Sequence, residues 1–287
     1  MIKTLNLDPK FSPTFCVHIK HELFTFWGGE IHIKIDRAEY FADVEKVIIT
    51  NRFRTGDDIM KVLAAKDALE RKGVKNFELL MPYVPYARQD RICAEGEAFT
   101  LKIFAQIINS AKFNKVIVLD AHSDVAPALI DRCENVNNHE FVHMACDEIK
   151  NGRHDLRKNL ILVSPDSGAN KKCNKLYESL DCFTSLVKCD KLRNPGTGEL
   201  AGFEVFADDL KGDDCVIVDD ICDGGRTFIG IAQELKKKNA GDIYLCVTHG
   251  IFSYGFDELK KYFKKIYCTD SFKDIDDDFV RQIKIII

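Results

Sequence analysis

The sequence predicts an α/β protein built as two similar halves, each a mainly parallel sheet flanked by helices. Three observations carry the expectation. Short apolar runs rich in β-branched residues alternate with stretches of helical spacing along nearly the whole chain, as in repeated βαβ units. Five of those runs end in polar or charged residues, at Thr50-Asn51, Asp120-Ala121-His122, Ser164-Pro165-Asp166, Asp219-Asp220 and Thr248-His249. Strands of an open α/β sheet end this way where their carboxyl ends border a ligand site. A length of 287 residues accommodates about two domains of ordinary size.

Residues 15–20 and 30–35 read as short strands, the second with Ile31, Ile33 and Ile35 alternating. Residues 44–50 form another, and a helix then extends to about Lys72, with Thr55 or Asp57 as its cap and Gly73 as its stop. A strand over 77–81 runs into Pro82-Tyr83-Val84-Pro85. Leu101, Phe104, Ala105 and Ile108 have helical spacing, and 115–120 is a strand of buried type. A second round begins near Asn159 with a strand over 159–165 and a helix over about 169–180. Strands follow at 183–189, 202–206, 215–220 and 243–248, with a helical pattern over 229–238 between the last two. The halves are taken as residues 1–145 and 146–287. The final apolar run, Ile285-Ile286-Ile287, reads as a strand that can return to the first half.

Composition narrows the function. With 46% hydrophobic and 30% charged residues the chain has an ordinary globular balance. A net charge of −4 argues against a general nucleic-acid binder, which needs a basic face. No apolar run approaches the roughly 18 residues of a membrane span, and the N-terminus lacks a signal-peptide core, so no membrane partner is expected and the cytoplasm is the expected compartment. The 11 cysteines include no Cys-x-x-Cys pair and read as buried thiols of a reducing compartment, Cys222 being the one to watch.

The stretch that organises the chain runs from Cys215 to Phe228. Apolar residues end in Asp219-Asp220, and after Ile221-Cys222-Asp223 a Gly224-Gly225-Arg226-Thr227 turn leads into the helical pattern. Backbone N–H groups at a glycine turn, a helix N-terminus and the Thr227 hydroxyl together suit a phosphate monoester. The carboxylates repel such an anion, so they must accept hydrogen bonds from hydroxyls or face a cation. A sugar phosphate satisfies both halves of the loop. The bland alternative is a strand-end turn with a solvated acidic pair. Tyr86-Ala87-Arg88-Gln89-Asp90-Arg91 brings two arginines, an amide and a carboxylate to another strand end. That suits a polyanion, although a salt-bridged surface loop accounts for the residue types equally well.

The acidic pair and glycine turn resemble the phosphoribosyl-binding motif shared by phosphoribosyltransferases and ribose-phosphate pyrophosphokinases (PRPP synthetases). Pro-Tyr-x-x-Tyr-Ala-Arg-Gln-Asp-Arg is similar to the ATP-binding segment of the second family alone. Further matches fall in family order: Asp120-Ala121-His122; the pyrophosphate loop Ser164-Pro165-Asp166-Ser167-Gly168; the flexible-loop pattern Asp190-Lys191-Leu192-Arg193, beside Asn194-Pro195-Gly196; and Thr248-His249-Gly250-Ile251-Phe252-Ser253.

The resemblance implies two phosphoribosyltransferase-type domains, ATP on the first and ribose 5-phosphate on the second, with transfer of pyrophosphate to the sugar 1-hydroxyl. It further implies Lys191 and Arg193 as catalytic cations. ATP falls to Phe26, Glu30, Arg88, Gln89, Asp90 and His122. Ribose 5-phosphate falls to Asp219, Asp220, Asp223, Gly224, Gly225, Arg226 and Thr227, and Mg²⁺ to His122 and Asp166. A homodimer or larger homo-oligomer is implied, since the family completes its adenine site across subunits. A phosphoribosyltransferase that consumes PRPP, or a non-catalytic regulatory paralogue, are the alternatives.

Three departures are visible. The family's Asp-Thr-Gly-Gly-Thr is here Asp223-Gly224-Gly225-Arg226-Thr227, one hydroxyl fewer and one arginine more. Its adenine segment Phe-x-Asp-Gly-Glu is Phe26-Trp27-Gly28-Gly29-Glu30, without the aspartate. The sequence stops at Ile287, where many members continue into a further helix, so absent or altered control by phosphate and ADP is expected.

Overall fold

The computed structural model describes residues 1–152, 155, 157–193, 196 and 200–287, apart from the side chains of Arg193 and Leu200. The chain divides into two compact units. The first comprises Met1–Asn137 with Ser271–Lys273 and Lys284–Ile287, and the second Asn138–Asp270 with Asp274–Ile283.

In the first unit the strands are β1 (Ile2–Asn6), β2 (Val17–His18), β3 (His21–Thr25), β4 (Ile31–Ile35), β5 (Lys46–Thr50), β6 (Phe77–Leu80), β7 (Lys115–Leu119) and β8 (Cys133–Val136). The helices are α1 (Gly56–Arg71), α2 (Thr100–Ser110) and the short α3 (Val125–Leu129). Six strands form one parallel sheet in the order β2-β1-β5-β6-β7-β8, while β3 and β4 pair antiparallel as a separate hairpin. Helix α1 starts where the Asp58 carboxylate accepts the N–H groups of Arg54 (2.8 Å) and Thr55 (2.9 Å), and ends before Gly73, whose φ of +91° only glycine adopts without strain. Leu101, Phe104, Ala105 and Ile108 make the buried stripe of α2, and Phe104 meets Phe53 edge-on at 6.1 Å. On β4 the alternating Ile33 and Ile35 enter the same core.

The second unit holds α4 (His139–Asn151), β9 (Leu160–Ser164), α5 (Asn170–Ser179), β10 (Ser185–Arg193), β11 (Leu200–Val205), β12 (Asp214–Cys222), α6 (Arg226–Lys237), β13 (Ile243–Gly250), β14 (Lys265–Thr269) and β15 (Val280–Ile283). Its sheet runs β11-β10-β9-β12-β13-β14-β15, parallel except for the β10–β11 pair. Central strands covered on both faces should be apolar over their covered length, and β12 is from Cys215 to Val218. Cys215 and Ile217 enter one core cluster with Phe228 and Ile231 of α6, while Val216 and Val218 enter the other with Val142 and Cys146 of α4.

Some sequence expectations shift. The segment 190–193, read as part of a loop, continues β10 as a strand paired with β11, Lys191 opposite Phe203. Of the segment 15–20 only Val17–His18 pairs, and Ile2–Asn6, not expected as a strand, lies beside it. The last three isoleucines are not a strand. Ile285 is buried against Phe11 and Leu119, and the Ile287 N–H reaches the Pro13 carbonyl at 2.8 Å. Asn194 and Pro195 of the expected turn lie outside the described residues.

Candidate active site

In both units the parallel sheet delivers its polar residues at the carboxyl ends of the strands. In the second unit β12 runs on past its apolar part, pairing Asp219 with Val247, Ile221 with His249 and Cys222 with Gly250 of β13. Asp219 is half-buried and Asp220 only 6% exposed. Burial, with the charges of Asp220 and Asp166 beside it, pushes the Asp219 carboxyl well above the usual carboxylate range, although its Oδ1 accepts the Asp220 N–H at 2.9 Å. At the end of β9 and on β10, Lys191 Nζ donates to Asp166 Oδ2 at 2.6 Å. Asp166, Lys191, Asp219 and Asp220 thus form one neighbourhood. Arg193 ends β10, but its side chain lies outside the described residues.

The turn after β12 is tied down from one side. The Cys222 carbonyl accepts the N–H groups of Ile251 (2.9 Å) and Phe252 (3.1 Å). The Asp223 carbonyl accepts the Ser253 N–H at 3.2 Å, and its carboxylate accepts the Ser253 hydroxyl. Gly225 caps α6 at φ +77°, and a Cβ there would lie 3.1 Å from Leu259 Cδ2, so both conformation and space require glycine. Its carbonyl takes the first helical bond from Ile229 at 3.0 Å, which leaves the N–H groups of the first turn directed out of the helix end. Arg226 is exposed there and Thr227 half-buried. Cys222 is fully buried, and burial raises its thiol far above the usual range, which makes it an inert packing residue. Thr248 and His249 are buried too, the Thr248 carbonyl accepting the Thr269 hydroxyl at 2.6 Å.

In the first unit, two strand-end loops meet. Tyr86, at φ +61°, turns the chain after β6. Its carbonyl accepts the Gln89 N–H at 2.8 Å, and the Gln89 carbonyl accepts the Leu101 N–H at 3.4 Å, which fixes the segment to α2. Asp90 is buried and gripped by Arg91 through Nε (2.7 Å) and Nη2 (3.1 Å). The Arg91 hydrogen bonds, a hydrogen bond from Ser123 and the nearby His122 hold Asp90 down at about 2, despite its burial. Arg88, Gln89 and His122 are exposed around it. At the hairpin tip the Phe26 N–H donates to the Glu30 carbonyl at 2.8 Å. Phe24, Phe26 and His32 cluster with ring separations of 5.1 to 5.9 Å, and Trp27 is fully exposed.

Two features were not anticipated from sequence. Arg52, 1% exposed, donates through Nε to Asp8 Oδ2 at 2.7 Å over the Phe11 ring. The signal was there in the register: β1 and β5 pair Asn6 with Thr50, and the same offset places Asp8 beside Arg52. The other is Tyr254, which stands over the turn at Gly224. A cavity of about 380 Å³ lined by Lys66, Lys75, Phe77 and Lys112 lies at the opposite end of β6 from these loops.

An acidic pair running from a parallel strand into a glycine turn at a helix start defines an α/β protein of phosphoribosyltransferase type. Comparisons agree. The family model for the phosphoribosyl transferase domain matches residues 133–284, and that for the N-terminal domain of ribose phosphate pyrophosphokinase matches residues 15–111. The chain is 30% identical over 275 residues to the ribose-phosphate pyrophosphokinase of Fusobacterium nucleatum, covering 93% of this chain and 83% of that one. It is 31% identical over 231 residues to that of Agrobacterium fabrum, covering 80% and 71%. A crystal structure of phosphoribosylpyrophosphate synthetase from Mycobacterium smegmatis has the same fold, with a TM-score of 0.80 and 22% identity over 99% of this chain and 94% of that one. The chain belongs to the ribose-phosphate pyrophosphokinase family.

Proposed function

We propose that the protein seats ribose 5-phosphate on Asp219, Asp220, Asp223, Gly224, Gly225, Arg226 and Thr227, and ATP on Phe26, Glu30, Arg88, Gln89, Asp90 and His122. It transfers the β,γ-pyrophosphoryl group of ATP to the 1-hydroxyl of the sugar, giving PRPP and AMP. The 1-hydroxyl oxygen bonds to the β-phosphorus, the bond from that phosphorus to the AMP oxygen breaks, and the hydroxyl proton is released. Such a transfer needs no protein nucleophile; alignment and charge neutralisation carry it.

The observation that carries this reading is the continuation of β12 through the acidic pair into the glycine turn. The pair offers acceptors for sugar hydroxyls, and the turn offers N–H donors for the 5-phosphate. Arg88 and Gln89 are exposed where triphosphate oxygens can approach them, while Asp90, held by Arg91 and Ser123, keeps their segment in place. Lys191 and Arg193 are the cations proposed to neutralise charge on the transferring group.

Magnesium fits this donor set as an ion shared with substrate. Among the described residues no three His, Cys, Asp or Glu side chains cluster to hold a metal, and Mg²⁺ usually completes its shell with phosphate oxygens and water. Burial first, and then the charges of Asp220 and Asp166, push Asp219 up, and a nearby divalent cation would offset the charge part. His122 in the first unit and Asp166 in the second are the proposed magnesium-binding side chains, each within its own unit, and a bound ion would supply charge neutralisation to the phosphates.

A homodimer or larger homo-oligomer is supported by the exposed Phe24, Phe26 and Trp27 at the hairpin tip. Sedimentation of a fully active monomer would exclude it. A cytoplasmic setting is supported by 11 free cysteines. No helix among the described residues is long and apolar enough to cross a membrane.

The deciding experiment incubates the protein with ATP, Mg²⁺ and ribose 5-phosphate without a nucleobase. AMP should form in step with PRPP and only when the sugar phosphate is present. Absence of AMP would sink the assignment. PRPP consumption on adding a nucleobase would move the protein to the phosphoribosyltransferases.

A further inference from the structure

Resting on the sugar-phosphate reading of the turn after β12, we propose that Gly224 and Tyr254 act as a pair. The tyrosine ring fills the space a side chain at 224 would need, and its phenol supplies the sugar 5-phosphate with a hydroxyl donor beyond that of Thr227, in place of the one missing at 224. A Cβ built on Gly224 would lie 2.9 Å from Tyr254 Cε2 and 3.1 Å from Cδ2. The ring therefore lies directly on the glycine backbone, and a side chain at 224 would have to displace it.

The chain on both sides of Tyr254 is tied down. Ser253 gives both its N–H and its hydroxyl to Asp223, and the Phe252 N–H bonds the Cys222 carbonyl at 3.1 Å. The Gly255 N–H closes back on the Phe252 carbonyl at 3.2 Å. Between these anchors Tyr254 is 76% exposed. An aromatic ring lying against this turn from an anchored stretch of chain, with most of its surface in water, is placed to cover a ligand instead of a core. The chemistry is complementary to the sequence. Where the family pattern has Asp-Thr, this chain has Asp223-Gly224, and the residue that occupies the vacated space carries a hydroxyl of its own. The ligand class is a sugar phosphate monoester, bound by turn N–H groups on one side and the phenol on the other.

The test measures steady-state kinetics and, separately, calorimetric binding of ribose 5-phosphate alone. It uses wild type, Tyr254→Ala, Tyr254→Phe, Gly224→Thr and the double variant Gly224→Thr/Tyr254→Gly, each checked for folding by its melting profile. Tyr254→Ala should raise KM and Kd for ribose 5-phosphate about tenfold, the loss of one ligand hydrogen bond and its ring contact, with KM for ATP unchanged. Tyr254→Phe should show part of that rise. Gly224→Thr, which collides with the ring, should impair sugar-phosphate binding, and the double variant should recover to within about threefold of wild type because the two changes are coupled. Wild-type affinity in both Tyr254 variants, or a double variant no better than Gly224→Thr, would overturn the pair. Failure of wild type to form AMP overturns the catalytic reading instead, and the calorimetric arm still decides whether Gly224 and Tyr254 hold a sugar phosphate.

Discussion

Lys191 is the residue on which the chemistry can be tested most directly. Its ammonium is half-buried against Asp166 and adjoins the neighbourhood of Asp219. Lys191→Ala should lower kcat by about 10² or more, the order found for electrostatic stabilisers, with a smaller change in KM. A kcat within a few fold of wild type would remove it from the role. Asp8 and Arg52 make a second residue-scale case. Burial alone would raise the Asp8 carboxyl, but the hydrogen bond and charge of Arg52, the Lys10 N–H and Arg54 outweigh it and hold it below 3.8. A depressed carboxylate contributes stability that is present above its unfolded value near 4 and is lost as pH falls through the folded one. Asp8→Asn should therefore cost about 3 kcal/mol at neutral pH by removing the carboxylate charge from beside the buried guanidinium, and denaturant titrations of mutant and wild type should begin to converge as pH falls below about 4. A gap that persists at low pH would show that packing, not charge, is responsible. This pair was illegible in the sequence because 43 residues separate the two members. Only the strand register brings them together.

At the scale of elements, the β12–turn–α6 unit was the most legible part of the chain. Its apolar run, acidic pair and glycines are contiguous, and each obeys a local rule: burial on two faces, strand-end polarity, and a left-handed residue at a helix start. Gly225→Ala tests the last of these. At φ +77° with Leu259 behind it, alanine should cost about 1–2 kcal/mol and loosen the first turn of α6, raising KM for ribose 5-phosphate. An unchanged melting temperature and KM would mean the turn relaxes freely. Elements whose residues satisfy two readings were harder. Asp190-Lys191-Leu192-Arg193 is charged enough for a loop, yet it extends β10, because β10 pairs there with the antiparallel β11 at the end of the sheet, where charged side chains can stay in water. Ile2–Asn6 is a strand of only 5 residues with a lysine and a threonine in it. Neither its length nor its pattern separates it from an N-terminal tail until β5 is placed beside it.

At the scale of the whole chain, the sequence declares two α/β halves, but not which residues each core recruits. Three consecutive isoleucines read as a strand because periodicity cannot distinguish a paired strand from an apolar tail lying on a core. Ile285 is 8% exposed, packed with Phe11, Leu119 and the half-buried Val136, while Ile286 and Ile287 remain exposed. Residues far downstream in the chain thus complete the core of the unit built from its first 137 residues. Ile285→Ala should destabilise that unit by about 2–4 kcal/mol, as large-to-small core changes do, whereas Ile286→Ala should be close to neutral. Hydrogen exchange separates the effects: protection should fall at β1 and β7, which flank Phe11 and carry Leu119, and persist at β12 and β13. Loss confined to β12 and β13, or equal effects of the two alanines, would mean that the isoleucine tail does not serve the first core.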